Sequence, residues 1–448
     1  MKLFGTDGIR GKINRHPMTP ENVLRIGMAA AVVLRKTQGR NMVIIGKDTR
    51  LSGYMIESAL TSGICSQGMN VTLTGPLPTP GVAYLTRALR VDAGIVISAS
   101  HNPFEDNGIK FFSSDGHKLP DEVEERIEKL VADDRLGSKR PTGADIGKTY
   151  RLDDSTGRYI EYVKSTLPRG STLEGLKVVV DCAHGAAYKV TPWVLRELGA
   201  EVVAINDKPD GININAGCGS LNMDGLRKAV RTHNAHAGIA HDGDADRTLM
   251  CDERGRIVDG DKMLGLWALQ FKREGRLRGD AVVSTVMSNL GIEKFLLKHG
   301  ITMVRTKVGD RFVTEEMLRS GYVLGGEPSG HLICLDCNTT GDGPITALHM
   351  LFTMKKEGAS LSGLVAGIKL YPQVLINVPV EKRADIKTVP EIMDAIKGAG
   401  NQLGEKGRIV VRPSGTELKI RVMVEAAEGK LAGRCAREIA EVIKKKMV

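Results

Sequence analysis

Four short segments of the chain gather side chains that can do chemistry. The densest is His241-Asp242-Gly243-Asp244-Ala245-Asp246-Arg247. In extended backbone, residues two apart project to the same side. Three carboxylates crowded there repel one another unless a cation neutralises them, and hard oxygen ligands suit Mg²⁺ or Ca²⁺. An EF-hand loop is a rival, since Glu253 stands twelfth from Asp242, but Arg247 takes the sixth position, where that loop needs glycine. The flanks, Ala237–Ala240 and Thr248–Cys251, also read as strands rather than helices. A solvated acidic turn is the other alternative.

The second segment is Ser98-Ala99-Ser100-His101-Asn102-Pro103, followed by Asn107-Gly108-Ile109-Lys110. It follows the apolar run Ala93–Ile97, so its serine is placed to act as a nucleophile on the carboxyl edge of a sheet. His101 and Lys110 could move protons or hold anions beside it. The third, Gly325-Gly326-Glu327-Pro328-Ser329-Gly330-His331, offers a carboxylate, a hydroxyl and an imidazole, which suit sugar hydroxyls or an amine. The fourth is Arg412-Pro413-Ser414-Gly415-Thr416-Glu417, with Arg421 beyond it. Guanidinium, hydroxyls and glycine-exposed amides make a phosphate cradle, while the lack of G-x-x-x-x-G-K-[ST] excludes a P-loop. Read singly, each of these three is also an ordinary polar turn. Together they supply a nucleophile, a metal cluster, a polyol loop and an anion cradle. Those are the parts for phosphoryl transfer on a phosphorylated sugar.

The elements that must position these loops read as α/β. Thr19-Pro20 opens a helix, with Thr as N-cap and Pro at the first helical position. Met42–Gly46, Lys177–Asp181 and Ala281–Thr285 are continuous apolar runs, each followed by a polar or glycine-containing loop and a helical stretch. That alternation predicts buried parallel strands with helical crossovers. It also predicts three repeats of one unit, spaced by roughly 120 residues. The last part differs. Val374–Val380, Arg408–Arg412 and Leu418–Val424 read as strands, while Val389-Pro390-Glu391 opens one helix and Arg434–Lys446 forms another. This is a small α+β domain. Polar joints near 149–159, 252–261 and 366–372 divide the chain into 1–153, 154–255, 256–368 and 372–448, with one chemical loop in each.

Composition narrows the function. Lys plus Arg is 63 against 53 for Asp plus Glu, a net charge of +10, and residues 372–448 hold fifteen basic against ten acidic side chains. A basic surface admits nucleic acid, but only 4% of residues are aromatic, which opposes base-stacking platforms. The expected partners therefore include no nucleic acid. The Met1–Asp7 segment lacks a signal peptide's apolar core, and Met28–Leu34 is too short to span a bilayer, so no membrane is expected. Seven dispersed cysteines read as reduced thiols of a cytoplasmic protein. Cys334-x-x-Cys337 has no second pair of matching spacing, and no metal or redox role is assigned to it.

With these motifs in place, the chain resembles the α-D-phosphohexomutases. The resemblance runs end to end, from Phe4-Gly5-Thr6-Asp7-Gly8-Ile9-Arg10-Gly11 to the Arg412 loop. Gly5–Gly8, Val308-Gly309-Asp310-Arg311 and Asn338-Thr339-Thr340-Gly341-Asp342-Gly343 are most similar to the branch acting on amino sugars. Pro328 departs from the Gln of the family's sugar loop, while Glu327 and Ser329 match.

The resemblance implies three similar α/β domains with mixed sheets and a smaller C-terminal α+β domain around a central cleft. It implies that Ser100 carries the phosphoryl group as phosphoserine. One Mg²⁺ would be held by Asp242, Asp244 and Asp246 with a phosphate oxygen on Ser100. Arg10, His101, Lys110 and Arg247 would surround the transferring group. Glu327 and Ser329 would bind sugar hydroxyls, with His331 beside them. Arg412, Ser414, Gly415, Thr416 and Arg421 would hold the phosphate that is not reacting. The implied reaction interconverts glucosamine 6-phosphate and glucosamine 1-phosphate through a 1,6-bisphosphate, feeding UDP-N-acetylglucosamine synthesis; glucose or mannose phosphates are the alternative substrates. Lys110 and His331 are the candidates for base and acid, with the Lys110 pKa lowered by burial beside Arg and Mg²⁺. The expected partner is a phosphorylated amino sugar, and a homodimer is compatible with this reading.

Overall fold

The computed structural model describes residues 2–5, 7–35, 40–381, 386–413 and 418–447. The first sheet runs through Ile9–Lys12, Asp106–Ser113, Ala93–Ile97, Met42–Lys47, Asn70–Pro76 and Thr149–Arg151, in that spatial order. Met42–Lys47 lies parallel to both Asn70–Pro76 and Ala93–Ile97. The helices Gly53–Cys65 and Thr79–Ala88 make the crossovers. Asp106–Ser113 then turns back antiparallel on Ala93–Ile97 and places Lys110 opposite Val96. Ahead of them, Thr19 caps the helix Pro20–Leu34, its side chain accepting from Asn22 N.

The second sheet repeats the plan. Thr248–Asp252 and Ala237–His241 form the antiparallel pair, and Lys177–Asp181 and Glu201–Ile205 the parallel one. Ile257–Val258 adds an edge to it. In the third sheet the corresponding strands are Leu332–Cys334, Leu324–Gly326, Ala281–Thr285 and Thr302–Thr306. The repeat expected from the apolar runs is therefore present as one strand order used three times. Val178, Val179 and Val180 are buried, as a strand covered on both faces requires. In each unit the turn joining the antiparallel pair is one of the chemical loops: Ser100 in the first, the acidic cluster in the second, and Glu327–His331 in the third.

The C-terminal sheet is antiparallel throughout, with Lys419–Ala426 between Gln373–Pro379 and Gly407–Pro413. The helices Pro390–Leu403 and Gly429–Met447 complete an α+β unit. Its core, which includes Val378, Ile392, Leu403, Val422, Ile439 and Ile443, is its own. By contrast, one core cluster runs through the other three units, joining Ile44 and Phe112 to Val178 and Ile239 and on to Trp267 and Leu348. Each such buried aliphatic or aromatic side chain contributes about 1.5–3 kcal/mol. Among the described residues, no helix is long and apolar enough to cross a membrane.

Candidate active site

Ser100 is buried and holds a left-handed backbone, φ 53°, a conformation that costs a non-glycine residue energy and survives only where the surroundings enforce it. Here they do. Ser100 N donates to Ser98 Oγ at 2.9 Å, and Ser98 Oγ donates to Asp48 Oδ2 at 2.7 Å. Arg50, fully buried, threads the turn. Its Nη2 donates to Ser100 O at 2.9 Å and to Asn102 O at 2.8 Å, and its Nη1 to Asp106 O and Pro103 O. Its charge is matched by Asp48 at 2.8 Å. Burial raises the Asp48 pKa despite that partner. From the second unit, Asn215 Nδ2 donates to Ser100 O and Asn102 O.

The acidic loop meets this turn face to face. Asp242, Asp244 and Asp246 are buried, and each offers an oxygen within 4.8 Å of the others. Ser100 Oγ donates to Asp242 Oδ2 at 2.6 Å. Lys110 Nζ donates to Asp244 Oδ2 at 2.9 Å and Asp246 Oδ2 at 3.2 Å, and Thr79 Oγ1 donates to Asp244 Oδ2 at 2.7 Å. Asp244 Oδ1 and Asp246 Oδ1 are buried with no hydrogen-bond partner. Burial, then Asp246 and Asp244, push the Asp242 pKa well up. Orphaned oxygens on mutually repelling carboxylates fit a hard divalent cation. Gly243 permits the approach: a Cβ there would stand 2.5 Å from Ser100 O.

The third loop closes over both. Gly330 has φ +89°, and a Cβ on it would lie 2.0 Å from Thr248 O of the second unit. Glu327 Oε1 accepts from Gly309 N at 3.1 Å, and Ser329 Oγ is buried without a partner. Pro328 contributes its carbonyl, which accepts from Gly260 N at 3.1 Å. His331 Nδ1 lies 3.7 Å from Asp246 Oδ1. Arg247 Nη1 lies 3.2 Å from His101 Nδ1, which lies 3.3 Å from Ser100 Oγ. Arg10 pairs with Asp7. A cavity of about 450 Å³ opens among these groups, lined in part by Asp7, Arg10, Asp246, Arg247 and Glu327.

In the C-terminal unit, Arg412 and Arg421 face each other directly across two strands. Like charges so placed repel. Burial and then Arg421 lower the Arg412 pKa, while Glu327 acts on it in the opposite sense. An anion between the two guanidiniums relieves the repulsion. Ser414, Gly415 and Thr416 of the expected cradle lie outside the described residues, as does Thr6 of the opening motif.

The chain matches four models of known domains in succession. They are phosphoglucomutase/phosphomannomutase alpha/beta/alpha domain I over residues 1–137, domain II over 157–255, domain III over 259–371, and the C-terminal domain over 375–442. The chain belongs to the phosphoglucomutase/phosphomannomutase family. Among its relatives, the phosphoglucosamine mutase of Thermodesulfovibrio yellowstonii is 55% identical over 428 residues, which are 95% of each chain. That of Magnetococcus marinus is 56% identical over 99% of this chain and 92% of its own. A phosphoglucomutase/phosphomannomutase family protein from Burkholderia thailandensis shares the fold with a TM-score of 0.83 at 23% identity, over 99% of this chain and 97% of its own.

In this family member burial opposes the Lys110 charge, but, with no cation among the carboxylates, Asp244, Asp7 and Asp246 outweigh burial and hold its pKa well above the usual lysine value. His331 is raised, since Asp246 and Asp310 outweigh its burial, which suits a proton donor. His101 is pushed down to about 4 by burial, Arg247 and Arg10, so its imidazole is neutral at pH 7.

Several residues that build the site carry no mark in the sequence reading. Asp48, Arg50, Thr79 and Asn215 hold the Ser100 turn or the acidic loop. The signal for the first two was the polar Lys47-Asp48-Thr49-Arg50 ending an apolar strand, the same strand-edge position that singled out Ser100. Nothing local marks Thr79 or Asn215, whose partners are distant in sequence.

Proposed function

We propose that this chain is a mutase that interconverts glucosamine 6-phosphate and glucosamine 1-phosphate through phosphorylated Ser100 and a 1,6-bisphosphate. The observation that carries the reading is the cleft itself. One buried serine stands against a carboxylate cluster, with Arg10, Arg247 and Lys110 around it and the paired Arg412 and Arg421 as a second anion site. A substrate that carries one phosphate and receives another needs both.

The substrate's own phosphate lies between Arg412 and Arg421, which sets its free hydroxyl towards Ser100. Glu327 and Ser329 bind ring hydroxyls and fix the sugar's orientation. The hydroxyl oxygen forms a bond to phosphorus as the bond to Ser100 Oγ breaks, and its proton passes to a base. Arg10, Lys110 and Arg247 offset charge on the transferring oxygens. His331, whose pKa Asp246 and Asp310 raise, gives a proton to a leaving oxygen. The bisphosphate then turns end for end, and its other phosphoryl group returns to Ser100. Asp242, Asp244 and Asp246, with an oxygen on Ser100, would hold Mg²⁺, which supplies further neutralisation at the phosphoryl group when bound. The functional units are taken as 1–153, 154–255, 256–368 and 372–448.

The test is ³¹P NMR of the protein with glucosamine 6-phosphate. A glucosamine 1-phosphate signal is expected, and Ser100→Ala should lower the rate by at least ~10³-fold, as loss of a nucleophile does. Full activity in that variant refutes the nucleophile. A higher kcat/KM on glucose or mannose phosphate refutes the amino-sugar assignment.

A further inference from the structure

One wall of the cleft is joined by a lysine that the chemistry above does not use. Lys118 follows the strand Asp106–Ser113, and its Nζ lies 2.5 Å from Asp7 Oδ1 and 2.6 Å from Asp310 Oδ2. Asp7 belongs to the first unit, where it also meets Arg10 and Lys110. Asp310 belongs to the third. It begins the helix Asp310–Ser320, accepts from Arg311 N on Oδ1, and lies 3.5 Å from His331 Nε2 through Oδ2. Lys118 therefore closes a ring of alternating charge that runs Asp246, His331, Asp310, Lys118, Asp7, Lys110 and back to Asp246.

Lys118 and Asp310 both favour their charged forms. Burial opposes the Lys118 charge, but Asp310 and Asp7 outweigh it and raise its pKa; burial opposes the Asp310 charge, but Lys118 leads the groups that lower it. The same seam carries further tethers. Thr339 Oγ1 donates to Gly116 O at 2.6 Å, and Arg87 Nη2 to Asn338 Oδ1 at 3.2 Å. Farther out, Arg311 pairs with Asp121.

The reaction gives this seam a task. A bisphosphate that turns end for end must give up its contacts with the sugar loop and with both phosphate sites. While it does so, the ligand cannot hold the cleft together. Only contacts between protein groups can, and they must not depend on where the phosphates are. Hydrogen bonds to charged groups are the strong ones, and Lys118 to Asp310 joins the nucleophile's unit to the sugar loop's unit at the edge of the cavity.

We propose that Lys118 and Asp310 are positioning residues that clasp the first and third units together and so retain the bisphosphate while it turns. This rests on the mutase reading above. Lys118 meets only Asp7 and Asp310 and touches neither Ser100 nor the acidic loop, so phosphoryl transfer proceeds without it, whereas Asp310 also faces His331; loss of the clasp lets bisphosphate escape, and each escape leaves Ser100 without its phosphoryl group.

The experiment compares wild type with Lys118→Met, Asp310→Asn and Lys118→Arg. Each starts as phosphoenzyme, with and without added glucose 1,6-bisphosphate, and the phosphate left on Ser100 is read by intact mass. Without additive, Lys118→Met and Asp310→Asn should lose phosphate about tenfold faster per turnover, the effect of one charge-assisted hydrogen bond. Added bisphosphate should restore the turnover of Lys118→Met, and Lys118→Arg should behave nearly as wild type; Asp310→Asn, whose side chain also faces His331, is read by phosphate loss and by binding alone. A Lys118→Met enzyme that loses turnover equally with and without bisphosphate, or either variant keeping phosphate as wild type does, overturns the clasp. Calorimetric binding of glucose 1,6-bisphosphate is read in parallel, and equal affinity in wild type and Lys118→Met overturns it too. An inactive wild type counts against the mutase reading, and the binding arm then still decides the clasp. Asp310→Asn, an isostere, carries the test if Lys118→Met does not fold.

Discussion

At the scale of single residues, the Ser100 turn depends on a buried ion pair that takes no part in transfer. Arg50 spends its guanidinium on Asp48 and on the carbonyls of Ser100, Asn102, Pro103 and Asp106. Arg50→Met leaves the Asp48 charge and those carbonyls unpaired in the interior, and should cost about 3–5 kcal/mol. Urea denaturation measures it, and a loss below 1 kcal/mol would mean that water reaches the turn. The double variant with Asp48→Asn should recover part of the loss, because the stranded charge is gone. The contrast between Arg50 and Ser100 shows what could be read early. The Ser100 segment drew notice only in combination, because taken alone Ser-His-Asn-Pro is an ordinary polar turn. Arg50 drew none, because apart from Asp48 its partners are backbone carbonyls about 50 residues away, and carbonyls leave no trace in residue identity. Nothing in the sequence indicated that Asp7 stands beside Lys110 together with the two carboxylates of the acidic loop.

At the scale of elements, the apolar runs Met42–Gly46, Lys177–Asp181 and Ala281–Thr285 announced their strands, because strands covered on both faces must be apolar throughout. Of the antiparallel return strands, Thr248–Cys251 was legible beside the acidic loop, while Leu332–Cys334, only three residues long, carries no distinctive pattern of its own. Element packing also creates one titration worth testing. Asp261, in the first turn of the helix Gly260–Arg273, is buried and accepts from Asn289 N at 2.8 Å. Burial, with Asp259 and Glu425 nearby, pushes its pKa from 3.8 up to about 7. A carboxyl group whose pKa is higher folded than unfolded binds more protons in the folded state. Its contribution to stability is therefore complete below about 3.8 and is lost as the pH climbs through about 7. Asp261→Asn should flatten that slope and stabilise the protein at pH 8 by a few kcal/mol. Melting temperatures across pH 4 to ~8 check this; parallel curves for wild type and variant would refute it.

At the scale of the whole molecule, three units share a core cluster and the fourth has its own. The joint between them is polar and specific. Glu425, buried, accepts from Leu290 N at 2.9 Å and from Arg408 Nε at 2.7 Å, and Asn289 Nδ2 donates to Tyr371 O at 2.9 Å. Independent cores joined by polar contacts melt independently once those contacts yield. Scanning calorimetry should resolve two transitions, and Glu425→Gln should lower the temperature of the smaller one; a single two-state transition would refute the division. The three repeated sheets have a consequence of another kind. The three loops occupy the same seat in one repeated topology, outside the strand pairing that builds each sheet. Residues in one turn can therefore change while its own sheet and the other two keep their framework. The serine turn, the carboxylate cluster and the Glu327–His331 loop are three fillings of one slot, and no unit taken alone holds all of them.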